Sequence, residues 1–85
     1  SDMGIVSYSD GRIRLRLDEL KNPAAAAVVK NRIRDIDGIK NVEIKVLTGS
    51  MLIEFDPAVL PPEELFEKGQ KELAKHGIKL EMPEI

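Results

Sequence analysis

His76, four residues after Glu72, is the only imidazole in the chain, and cysteine is absent altogether. On a helix that spacing puts both side chains on one face, where they offer Zn²⁺ two ligands. A closed structural site takes four protein ligands and a catalytic site three, so Glu72 and His76 form at best a weak surface pair. His76 also suits a helix C-terminus, where a partly cationic ring complements the negative end of the dipole. The acid pairs Asp18/Glu19 and Glu63/Glu64 are adjacent in sequence, so their carboxylates point to different sides of their elements. No nucleophile–base pair or glycine-rich phosphate loop accompanies them, and catalysis is not expected. Without cysteine there are no disulfides, thiolate metal sites or thiol nucleophiles.

Arginines at 12, 14 and 16 alternate with Ile13, Leu15 and Leu17. This two-residue period makes a strand with one buried face and a guanidinium row on the other. On a sheet that also presents Glu43, Lys45, Glu54, Lys79 and Glu81, the arginines are expected to sit across from Glu54 and Glu81, and the row reads as a largely self-neutralised surface. It could dock an acidic patch on a protein partner. Single-stranded RNA would need strand aromatics on which to stack bases, and here Phe55 points inward while Tyr8 precedes the strand. A net charge of −2 likewise argues against nucleic acid or an anionic membrane as partner.

The elements that must position these residues follow from periodicity. At 85 residues, 42% apolar and 33% charged, the chain suits one small folded domain rather than a disordered segment. No apolar run approaches the roughly 20 residues of a membrane span, and no signal peptide opens the chain, so a cytoplasmic location, free or as the cytoplasmic domain of a membrane-associated protein, is expected. Residues 1–10 read as an N-terminal extension, with a cloning remnant at Ser1-Asp2-Met3, residues 11–82 as the domain and 83–85 as a tail. After the first strand, Asn22-Pro23 is a helix start, with Asn as N-cap and Pro at the first helical position. Ala25, Val29, Ile33 and Ile36 make the apolar stripe of that helix, and Gly38 serves as its left-handed cap. Val42, Ile44 and Val46 mark a second strand, Thr48-Gly49-Ser50 a turn, and Met51, Ile53 and Phe55 a third strand. Pro62 opens a second helix with Leu65, Phe66, Gly69 and Leu73 inward. Gly69 there is expected to mark a close helix–sheet approach. Gly77 ends the helix before a last strand at Ile78–Met82. The order β-α-β-β-α-β predicts a ferredoxin-like α+β sandwich, a four-stranded antiparallel sheet with two helices on one face.

Residues 11–16 (GRIRLR), Ile36-Asp37-Gly38-Ile39, Asn41-Val42-Glu43-Ile44, Leu47-Thr48-Gly49 and Phe55-Asp56-Pro57, in this order, resemble the heavy-metal-associated domain family, the copper-chaperone-like modules found alone or in heavy-metal-transporting P-type ATPases. Ile36-Asp37-Gly38-Ile39 stands for the family's LPGV, and Asn41-Val42-Glu43-Ile44 for its SVxV. Leu47-Thr48-Gly49 and Phe55-Asp56-Pro57 match its hairpin and following YDP. The opening residues 11–16, GRIRLR, resemble a divergent branch that lacks metal ligands. The likeness runs from residue 11 to about 82. Counted back without gaps from Gly38, the family's MTCxxC falls on residues 20–25, so its cysteine positions are Asn22 and Ala25.

Neither residue replaces a thiolate, because Cu(I) selects soft sulfur ligands and Zn²⁺ takes thiolate, imidazole or carboxylate. The resemblance therefore implies the scaffold without the metal site and without a cofactor. It implies a docking module of a metal-handling system, whose partner is a heavy-metal-transporting P-type ATPase or another domain of the same chain. Carried over from the family, the contact surface is Leu20, Lys21, Asn22 and Ala24, with Lys30 and Arg34 on the exposed side of the helix. Two alternatives stand beside it: metal bound at a site of carboxylates and His76 or between chains, and homo-oligomeric assembly through an edge strand at Val42–Val46. Glu43 and Lys45 would keep that edge charged, which discourages pairing.

Overall fold

The computed structural model describes residues 3–80, and the alternating run at 12–17 lies inside its sheet. In chain order the elements are β1 (Met3–Ser9), β2 (Arg12–Leu17), a 3₁₀ turn (Asp18–Lys21), α1 (Pro23–Arg34), β3 (Ile39–Lys45), β4 (Ser50–Phe55) and α2 (Pro62–Ala74). The strands form one antiparallel sheet in the order β1-β2-β4-β3. One face is covered by both helices. Ile13, Leu15 and Leu17 of β2 and Met51, Ile53 and Phe55 of β4 join Val29 and Ile33 of α1 and Leu65 and Leu73 of α2 in a single core. This is the expected ferredoxin-like α+β sandwich.

The fourth strand, however, comes from the other end of the chain, and the element order is β-β-α-β-β-α. Residues 3–9, expected to stand ahead of the domain, pair with β2 from Met3↔Leu17 to Ser9↔Arg12. Asp10-Gly11 connects the two strands, and so short a loop closes at little entropic cost. The position beside β2 is thereby occupied by β1. Ile78–Leu80 adopts no strand conformation, and residues 81 and 82 of the expected last strand lie outside the described residues. Ile78 and Leu80 are nevertheless buried. The Gln70 side-chain amide donates to the Leu80 carbonyl at 2.7 Å, fastening this segment to α2.

The end of α2 has a physical cause. Ile78 N–H donates to the Leu73 carbonyl at 3.0 Å and Gly77 N–H to the Ala74 carbonyl at 3.1 Å. This is the paired bonding of a Schellman cap, with Leu73 and Ile78 supplying its apolar contact. Gly38 does have a positive φ, +100°, but α1 has already ended at Arg34 with Asp35 right-handed. The glycine belongs to the turn into β3, where a Cβ would come within 2.7 Å of the Leu60 Cβ.

Gly69 is buried, yet a Cβ added there would meet no heavy atom from outside its own stretch of helix within 4 Å. The expected close approach is not what this glycine provides. A small apolar gap of about 20 Å³ lies beside it, lined in part by Ile13, Ile53, Leu65 and Leu80.

Candidate functional site

The junction between β2 and α1 is built around a buried anchor and a cap. Leu17 ends β2 by donating its N–H to the Gly49 carbonyl at 2.9 Å, which ties the β3–β4 turn to this end of the sheet. Gly49 has φ +70°, and a Cβ there would collide with the Leu17 carbonyl. The chain then makes one 3₁₀ turn with Leu20 wholly buried beneath it. Leu20, expected at the contact surface, is a core residue, because a leucine side chain at this turn points into the sandwich. Lys21 is exposed, its ammonium 3.5 Å from Asp18 Oδ1.

Asn22 follows with extended backbone, and its side-chain oxygen accepts from Ala24 N–H at 2.9 Å and Ala25 N–H at 3.2 Å. Its own carbonyl takes the Ala26 N–H at 2.9 Å. The donors that a helix start leaves unpaired are thus satisfied by the residue aligned with the family's first cysteine. Pro23 occupies the first helical position and adds no N–H that needs a partner. Ala25, aligned with the second cysteine, is half-buried and has only a methyl group. Ala24 is exposed, Lys30 half-buried and Arg34 exposed, its guanidinium donating to Asn31 Oδ1 at 3.2 Å. The junction is therefore a closed helix start, with no pair of ligands facing one another.

Glu72 and His76 do not come together as a site. Glu72 Oε1 accepts from Lys75 Nζ at 3.0 Å, while His76 is exposed beyond the helix end. Among the described residues no group of three His, Cys, Asp or Glu side chains is arranged to hold a metal ion.

The outer face of the sheet is ordered in three rows by its register. Arg16, Ser50 and Lys45 form the row nearest the β3–β4 turn; Arg14, Leu52 and Glu43 form the middle row; Arg12, Glu54 and Asn41 form the third. Arg12 does lie opposite Glu54, as expected, but the Glu54 carboxylate accepts from Asn41 Nδ2 at 3.2 Å. The same nitrogen donates to Glu43 Oε2 at 3.2 Å. Glu81, the second acid expected across from the arginines, lies outside the described residues. None of the three guanidiniums is in an ion pair with another described residue.

Two features escaped the sequence reading. Leu47, at the tip of the β3–β4 turn, is 95% exposed, and its turn is bonded to the junction through Gly49. Leu52 alternates with buried Met51 and Ile53 and so lies half-buried on the outer face. The same alternation that put Glu54 outward would have placed it there.

No helix among the described residues is long and apolar enough to cross a membrane. No curated protein and no solved structure matches the chain. The family described as heavy metal associated domain 2 matches residues 2–75, from β1 to the end of α2. That span begins earlier and ends sooner than the likeness read from the sequence, and it includes the strand that completes the sheet. The chain belongs to the heavy metal associated domain 2 family.

Proposed function

We propose that this protein is a non-catalytic docking module of a metal-handling system, working through protein contact without the family's cysteine site. The observation that carries this reading is the Asn22 side chain, whose oxygen is engaged by two backbone amides at the position where a ligand would be needed. A neutral amide oxygen already accepting two hydrogen bonds is a poor donor to Zn²⁺ and a worse one to Cu(I). The contact surface is the exposed part of the junction and of α1: Lys21, Asn22, Ala24, Lys30 and Arg34. Leu20 supports it from below, and Leu47 adds an exposed apolar group from the tethered turn. The partner is the cytoplasmic region of a heavy-metal-transporting P-type ATPase or another domain of the same chain, which would place this domain in the cytoplasm.

Two measurements test the reading. The ¹⁵N-labelled protein titrated with Cu(I), Zn²⁺ and Fe²⁺ is expected to show no saturable amide shifts at residues 20–25 or at His76; such shifts would overturn it. Against the cytoplasmic region of the transporter, Lys21→Glu, Lys30→Glu and Arg34→Glu together are expected to weaken binding by about tenfold while leaving the fold intact. Unchanged affinity of the triple variant would remove this surface.

A further inference from the structure

The outer face of the sheet is not evenly neutralised. Asn41 Nδ2 gathers Glu43 Oε2 and Glu54 Oε1, each at 3.2 Å, toward one end of the face. Arg16 and Lys45 stand in the row nearest the β3–β4 turn and Arg14 in the middle row, none of them in an ion pair with another described residue. Ser50 sits between Arg16 and Lys45 in the first row, and Leu52 between Arg14 and Glu43 in the next. Small Ser50 and half-buried Leu52 thus make the floor of a trough along β4, with β2 and β3 as its walls. A groove of about 140 Å³ is present there, lined by Arg14, Glu43, Lys45, Ser50 and Leu52.

We infer that this groove is a second recognition site, which takes an extended acidic segment of a protein partner laid along β4. Ser50 and Leu52 are two residues apart, so they match alternate side chains of an extended occupant. The occupant would set a carboxylate over Ser50, between Arg14, Arg16 and Lys45, and an apolar side chain over Leu52. The pattern it must carry is Asp or Glu, any residue, then an aliphatic residue.

Nucleic acid fits less well. Its repeated phosphates would run past Glu43 and Glu54, and the described outer face has no aromatic on which bases could stack. The site shares no residue with the junction surface, whose Lys30 and Arg34 lie on α1 and whose Lys21 ends the 3₁₀ turn.

The test is a titration of the ¹⁵N-labelled full chain with a blocked heptapeptide containing Asp-Ser-Val, with a control in which Lys replaces Asp. Saturable shifts at the amides of Arg14, Lys45, Ser50 and Leu52, weakened by added salt, are expected from the first peptide alone. Arg14→Glu with Lys45→Glu is expected to weaken binding about tenfold. Leu52→Ser, which leaves the charges in place, is expected to weaken it severalfold. No saturable shift at millimolar peptide, equal binding of the lysine control, or unchanged affinity in the folded charge variant would overturn the site. Stronger shifts from single-stranded oligonucleotide than from the acidic peptide would overturn its assignment to protein. Shifts from the acidic peptide confined to residues 20–25 and α1 would overturn the groove as the site and point to the junction instead.

Discussion

Asn22 has one side-chain oxygen and two amides competing for it, which makes it a capping residue in energetic terms. Asn22→Ala is expected to lower the unfolding free energy by about 1 kcal/mol, read from urea denaturation. Placing thiols at both aligned positions, Asn22→Cys with Ala25→Cys, is expected to raise Cu(I) affinity well above that of the parent, since Cu(I) selects thiolates. A folded double variant that fails to bind Cu(I) would mean that the family's ligand positions fall elsewhere. Gly69 makes the opposite kind of prediction. It lies inside α2 with no atom from outside its own stretch of helix within 4 Å of the place a methyl would occupy, so Gly69→Ala gains helix propensity of about 1 kcal/mol. Its midpoint should rise by roughly 4–8 °C; a fall would show that the space beside it is already needed.

Among the elements, β1 has the largest consequence. It covers the edge of β2, and without it Leu15 and Leu17 would lose a neighbouring strand and β2 would present unpaired backbone groups. A chain lacking residues 1–10 is expected to be less stable and to self-associate, which sedimentation and urea denaturation would detect. A monomer of parental stability would mean that β1 contributes nothing to the sheet. The β3–β4 turn is the second sensitive element, because Gly49 holds positive φ while lying against the Leu17 carbonyl. Gly49→Val is expected to cost on the order of 2–3 kcal/mol, combining backbone strain with a displaced turn. Amide shifts in that variant should spread from the turn into the junction at residues 17–22.

For the whole molecule, metal should be thermodynamically silent. A ligand that binds only the folded state at a thousandfold excess over its dissociation constant would add about 4 kcal/mol of stability. Melting with millimolar Zn²⁺ is expected to leave the midpoint unchanged; a rise that depends on concentration and is lost in His76→Ala would reinstate the Glu72–His76 pair as a site. The charges of the molecule are organised rather than simply balanced. A net charge of −2 coexists with a sheet face on which one asparagine engages both Glu43 and Glu54, while Arg16 and Lys45 stand in the row nearest the β3–β4 turn.

The sequence by itself determined most of the scaffold and the lack of thiolate ligands. The alternation of residues 12–17, the Asn22-Pro23 start of α1 and the stripe of α2 are local patterns, and local patterns suffice to set element type and buried face. The absence of cysteine needs no coordinates. The tertiary structure decided which chain end completes the sheet, because residues 3–9 and 78–82 both carry apolar residues and only one segment can pair with β2. Asp10-Gly11 was the readable signal for the winner, since that dipeptide between strand-like runs marks a hairpin. It also decided that Leu20 is core rather than surface, and that Glu54 turns to Asn41 instead of Arg12. Those outcomes depend on register and on side chains from separate strands meeting in space, which no single segment encodes.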